Sequence, residues 1–180
     1  MLFRSETLIK NADMAMYLAK SKGKNQCIYC TSDIKNETIK KVDLTNRLYR
    51  ALEKHELSLF YQPQVDAKTK EIVGFEALLR WNNKECGNVS PAIFVPMAEQ
   101  TGLIKPIGLW VFKTACGHLR TFQDTFRKTL SMSINLSLEQ LREAKFADRI
   151  SNILKETGTG ADRIQRSEER RVGKECRSRW

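Results

Sequence analysis

Two apolar, strand-like runs at residues 57–66 and 71–81 are joined by the short polar turn Asp66-Ala67-Lys68-Thr69-Lys70. So short a connection makes them a hairpin, and the two strands therefore run antiparallel. Side chains alternate along the second strand. Phe75, Ala77, Leu79 and Trp81 share one face, and Gly74, Glu76, Leu78 and Arg80 share the other. A carboxylate and a guanidinium thus point the same way from an otherwise apolar strand. Burying either without a partner is costly. Two readings follow. Glu76 and Arg80 form an ion pair at the strand end, or Glu76 binds a hard cation while Arg80 holds a phosphate in bidentate fashion.

The elements around the hairpin indicate an α/β or α+β construction with an unusual antiparallel start. Residues 6–21 read as a helix, with Leu8, Ala12, Ala15, Met16 and Ala19 near helical spacing, Ser5 as N-cap and Gly23 as the stop. Residues 26–30 read as a short strand. Residues 35–54 read as a linker helix that packs one face through Ile39, Val42, Leu44, Leu48 and Leu52. After the hairpin, residues 82–88 form a polar loop. Ser90-Pro91 opens a helix that Gly102 breaks, and a longer amphipathic helix spans 105–122. Residues 132–136 form a strand, Ser137 caps a short helix, and 146–156 form another helix.

The chain has 180 residues, whereas a complete (β/α)8 barrel takes about 250. Its 41% hydrophobic and 29% charged residues fit a globular protein rather than a disordered one. The net charge of +10 lacks the basic stripe with interleaved aromatics of a nucleic-acid groove, so it reads as a solvated surface. Residues 166–180 hold six basic and three acidic residues and contribute +3 of that charge. No apolar run reaches the roughly 18 residues of a membrane span, and residues 1–10 lack signal-peptide organisation. The five cysteines, at 27, 30, 86, 116 and 176, are expected to be reduced thiols in a cytoplasmic setting. Cys27 and Cys30 form an isolated CxxC without the second ligand pair that a zinc site needs.

Six further words extend the pattern in order. Leu59-Phe60-Tyr61-Gln62-Pro63-Gln64 precedes Gly74-Phe75-Glu76-Ala77-Leu78-Leu79-Arg80-Trp81. Ser90-Pro91-Ala92-Ile93-Phe94-Val95-Pro96-Met97-Ala98-Glu99 and Thr101-Gly102-Leu103-Ile104 follow. Ile107-Gly108-Leu109-Trp110-Val111 and Ser133-Ile134-Asn135-Leu136-Ser137 come last. Over roughly residues 48–158 the chain closely resembles the EAL family of cyclic-di-GMP phosphodiesterases. That resemblance implies a partial TIM-type barrel with an antiparallel first strand, and hydrolysis of cyclic di-GMP to pGpG with Mg2+ or Mn2+. It implies that Glu76 and Asn135 are metal ligands and that Gln62 and Arg80 contact substrate. Pro96 and Glu99 are expected to shape the guanine pocket. The family's second half supplies a further glutamate, an Asp-Asp pair followed by Phe-Gly, and a lysine. No Asp-Asp and no Asp-Phe-Gly follows Asn135 here, and Asp162, near Gly158 and Gly160, does not replace them, so the catalytic set is incomplete and the 180 residues are expected to be inactive. The alternatives are a non-enzymatic cyclic-di-GMP receptor and a truncation unable to fold, with unpaired strand edges.

Asn11-Ala12-Asp13-Met14-Ala15-Met16-Tyr17, Ala19-Lys20 and Gly23-Lys24-Asn25 resemble the end of a GGDEF diguanylate cyclase domain. The expected organisation is therefore a GGDEF remnant at 1–32, a linker helix at 33–50, a truncated EAL domain at 51–160 and a non-native tail at 161–180. Within the tail, the run from Arg166 to Cys176 resembles a translated sequencing adapter. Cyclic di-GMP is the expected partner, with no nucleic acid and no membrane segment in this chain. An EAL–EAL dimer is possible in the parent protein.

Overall fold

The computed structural model of the chain describes residues 5–21 and 23–167. Cys176 and the tail from residue 168 onward lie outside the described residues. Two compact units divide at Tyr49 and Arg50.

The first unit holds helix α1, Ser5–Ser21, and most of helix α2, Ser32–Ala51. Gly23 ends α1 with a φ of 103°, a conformation open to glycine at little cost. Residues 26–30 form no strand, which corrects the sequence expectation. Alternation suits a strand only where a neighbour can complete the hydrogen-bond ladder, and no described strand pairs with this segment. Its Cys27 and Cys30 are free thiols.

The second unit is built on one mixed sheet. Strands β1 (Leu57–Val65) and β2 (Ile72–Asn83) form the antiparallel hairpin, with a register shift at Gln64 and Val65. Asp66 Oδ1 accepts the Lys68 and Thr69 N–H groups and closes the turn, each at 2.8 Å. The polar loop expected at 82–88 is instead a second hairpin. β2 continues to Asn83, and β3 (Gly87–Val89) folds back on it. Gly87, with φ 69°, allows that reversal, and Asn83 Oδ1 accepts the Glu85 and Cys86 N–H groups inside it. Helices α3 (Pro91–Thr101) and α4 (Ile104–Phe126) cross over to β4 (Ser131–Asn135), which pairs parallel with β2. Ser90 sits at the N-cap of α3 without a side-chain capping bond. Helices α5 (Leu138–Leu141) and α6 (Phe146–Thr157) lead to β5 (Ile164–Ser167), parallel to β4. The sheet order is β1-β2-β4-β5, with β3 also on β2. The sequence reading placed residues 164–167 in a non-native tail. Here they are the fourth strand of that order, because β4 offers them a free edge.

The helices cover one face of the sheet. α4 supplies Ile107, Val111, Ala115 and Leu119 at spacings of four, the repeat of a helix that buries one stripe. Trp81 is fully buried and meets Phe94 of α3 edge-on, with centroids 5.6 Å apart. Phe75 and Tyr61 both pack on Phe122 of α4. Burial pushes the Tyr61 phenol up to about 12, and its hydroxyl is hydrogen-bonded to His118 Nδ1 at 2.6 Å. Cys116 is also buried here, and burial pushes its thiol up to about 11, against smaller opposing effects of Thr159 and Thr157.

One glycine in α4 sets the approach of a loop. A Cβ on Gly108 would overlap Gln140 Nε2 and lie 2.7 Å from Gln140 Cδ. Gln140 is 2% exposed, and with Ser137 it forms a capping box at α5. Gly108→Ala is therefore expected to overpack this contact, lowering stability by about 1–3 kcal/mol. Gly117→Ala, where a Cβ meets nothing within 4 Å, serves as the helical control. Urea unfolding of both variants checks the difference. Equal stabilities would show that the Gln140 loop yields without cost.

Candidate functional site

The uncovered face of the sheet is polar. Gln62 stands opposite Glu76 across the β1–β2 ladder, and Glu76 stands opposite Ser133 across β2–β4. Directly paired residues share a face, so Gln62, Gln64, Glu76, Arg80, Ser133 and Asn135 all project from it. Gln64 and Ser133 hydrogen-bond to each other across it.

Glu76 does not pair with Arg80. Its Oε1 accepts the Asn135 Nδ2 donor at 3.0 Å and the Ser167 hydroxyl at 2.8 Å. Asn135 and Ser167 are the last residues of β4 and β5 and lie side by side in register. A carboxylate, an amide and a hydroxyl from three neighbouring strands thus meet at one point. Catalytic groups of barrel folds gather at such C-terminal strand ends. Arg80 turns the other way. Its Nη1 donates to the Leu79 carbonyl at 2.9 Å, and its guanidinium lies over the Phe60 ring, 5.7 Å from the centroid. That stacking is favourable for a cation and leaves most of the five guanidinium donors free. The ion-pair reading of Glu76 and Arg80 is therefore not realised.

A cavity of about 1150 Å³ opens beside this cluster, bordered by Arg80, Pro96, Glu99, Asn135, Arg142 and Ser167 among others. Four of the sequence-predicted residues, Arg80, Pro96, Glu99 and Asn135, share its wall. Glu76 reaches it through Asn135, whereas Gln62 is next to Glu76 in the ladder and does not border the cavity. Pro96 lies inside α3 and has no N–H to give the Ala92 carbonyl, and both residues are on the wall.

The family model of the EAL domain matches residues 45–165. The chain belongs to the EAL domain family. Among curated relatives of this EAL chain, it is 39% identical over 151 residues to the bifunctional diguanylate cyclase/cyclic di-GMP phosphodiesterase MucR of Pseudomonas aeruginosa, covering 84% of this chain and 22% of MucR. It is 36% identical over 142 residues to the probable cyclic di-GMP phosphodiesterase PdeI of Escherichia coli, covering 78% of this chain and 18% of that protein. Among solved structures, the PaMucR phosphodiesterase in complex with c-di-GMP aligns with a TM-score of 0.65 and 37% identity, over 68% of this chain and 49% of that one. The chain spans about a fifth of the length of these curated relatives. The mixed α/β sheet and its helices match the architecture of EAL structures. No helix among the described residues is long and apolar enough to cross a membrane.

Three contributors carried no signal in the sequence. Ser167 sits in a segment read as tail, yet it completes the hydrogen bonding of Glu76. Gln140 has no motif of its own and is identified by its burial beside Gly108. Glu56 is 6% exposed and accepts hydrogen bonds from Trp81 Nε1 and Asn83 Nδ2. It stands between the 35–54 helix and the 57–66 strand and belongs to no motif.

Proposed function

We propose that these residues form the substrate-facing opening part of a cyclic-di-GMP phosphodiesterase, and that alone they bind the dinucleotide without hydrolysing it. The observation that carries this reading is the junction of Glu76 with Asn135 beside a cavity that also receives Arg80. Arg80 presents a planar fork suited to one phosphodiester group. Pro96 and Glu99 wall the space that a guanine base occupies, and Gln62 reaches the ligand from the β1 side.

The donors at the junction suit a hard divalent cation. Glu76 Oε2, Asn135 Oδ1 and the Ser167 hydroxyl are oxygen ligands, the kind that Mg2+ and Mn2+ prefer. Such an ion would lower the pKa of a bound water and screen the phosphate anion. The fit extends to a single ion. Only one carboxylate stands in the cluster, and among the described residues no group of three or more His, Cys, Asp or Glu side chains is placed to hold a metal. Two-ion assistance needs more negative ligands than this. The same count favours a second reading, a cyclic-di-GMP receptor that binds without turnover. Residues 6–29, which include most of α1, resemble the end of a GGDEF domain in the same parent protein, and a cytoplasmic nucleotide pool would supply the ligand.

Incubating the purified chain with cyclic di-GMP and Mn2+ or Mg2+ tests the proposal. Calorimetry is expected to show binding, and chromatography is expected to show no pGpG. Formation of pGpG would overturn the one-ion argument, and absence of binding would overturn the ligand assignment.

A further inference from the structure

Arg142 stands on the cavity wall, and none of the sequence motifs includes it. It caps the C-terminal end of α5, immediately after the Ser137–Gln140 capping box. Arg80 reaches the same cavity from β2. Two guanidinium groups therefore face one space from separate elements. A third, Arg166, also borders the cavity, but alternation along β5 puts it on the opposite face from Ser167. Arg166 pairs in register with Ile134, a core residue.

Among the described residues, the Arg142 side chain makes one bond. Its Nη1 donates to Glu139 Oε1 at 2.8 Å, and the side chains are 73% and 46% exposed. An exposed pair of this kind contributes little to stability. Four guanidinium donors remain for a ligand. The Gln140 side chain, clamped between Ser137 and Gly108, holds the short helix that carries Arg142. The two carboxylates on the same wall, Glu99 and Glu139, would repel an anion, and the Glu139 pair offsets one of them.

We propose that Arg142 is a specificity-determining residue that binds the second phosphodiester of a cyclic dinucleotide whose first phosphodiester is held by Arg80. This rests on the cyclic-di-GMP reading given above. A ligand with two phosphodiesters then engages both arginines, and a linear dinucleotide with a single one engages Arg80 alone. Arg142 thereby separates the cyclic ligand from linear dinucleotides of the same bases.

Calorimetric titration of the 180-residue chain in Mg2+ with cyclic di-GMP and with linear GpG tests the assignment. Arg142→Ala is expected to weaken cyclic di-GMP about tenfold and to leave GpG within twofold, consistent with the loss of one charge-assisted contact. Arg142→Lys keeps the charge, loses the fork, and should fall between the two. Because the side chain is exposed, circular dichroism should show both variants folded. Cyclic di-GMP affinity unchanged in Arg142→Ala, or weakened equally for both ligands, overturns the proposal. A wild-type chain that binds neither ligand overturns the functional reading and this assignment with it. An Arg142→Ala chain that binds cyclic di-GMP as tightly as the wild type leaves the functional reading standing and sinks only the role of Arg142.

Discussion

Arg80→Ala is expected to weaken cyclic di-GMP binding by about 10- to 100-fold, measured by titration calorimetry at fixed ionic strength. A hydrogen bond to a charged group is worth about 1.5–3 kcal/mol, and each 1.4 kcal/mol is tenfold in affinity. The guanidinium already lies over Phe60 and is anchored to the Leu79 carbonyl. Little side-chain freedom therefore remains to be lost on binding. Arg80→Lys keeps the charge but cannot present two parallel donors, so it should recover only part of the affinity. Equal binding by wild type and Arg80→Ala would place the phosphate elsewhere in the cavity. Loss of the fold in the alanine variant, seen by circular dichroism, would instead assign Arg80 to structure through its contact with Phe60.

The second large effect concerns stability and a residue remote from the ligand. Glu56→Ala is expected to destabilise the fold by about 3–5 kcal/mol, read from urea unfolding. The Glu56 carboxylate accepts hydrogen bonds from Trp81 Nε1 at 3.2 Å and Asn83 Nδ2 at 2.9 Å. Removing it strands two buried donors, each costing about 1–3 kcal/mol. Its backbone also bridges Ala51 and β2, since Glu56 N–H donates to Ala51 O and its carbonyl accepts from Asn82 N–H. Glu56→Gln should cost less but still lose stability. One oxygen can serve the same donors, while the new NH2 group falls where Oε1 is buried without a partner.

The same carboxylate sets a pH dependence. Burial pushes the Glu56 carboxyl up, but the hydrogen bonds from Asn83 and Trp81 and the nearby Lys54 ammonium outweigh it, so the folded value lies below the ordinary one. A group depressed on folding contributes stability that is fully present above its unfolded value and is lost as pH falls through its folded value. Wild-type stability should therefore decline below about pH 4.3, the ordinary glutamate value, and Glu56→Gln should decline less steeply there. Parallel slopes for the two proteins would mean that other carboxylates govern the acid limb.

Local pattern alone revealed much of this protein. The turn at 66–70 forces the antiparallel hairpin, and alternation assigns Glu76 and Arg80 to one face. Both are consequences of covalent geometry over a few residues, so tertiary contacts had little left to choose. The stop at Gly102 and the cap at Ser137 were equally visible, for the same reason. Choices between distant partners were not visible. Glu76 bonds to Asn135, 59 residues away, and to Ser167, 91 residues away, rather than to the arginine four positions along its own strand. Residues 26–30 have a strand-like pattern and form no strand, whereas 164–167 looked like tail and form one. Whether a segment joins a sheet depends on an available edge, and edges exist only once the sheet has assembled. Sequence thus determined the hairpin and the side chains on each of its faces. The tertiary structure alone decided which of those side chains meet, because hydrogen bonding in a buried sheet depends on neighbours brought together from distant parts of the chain.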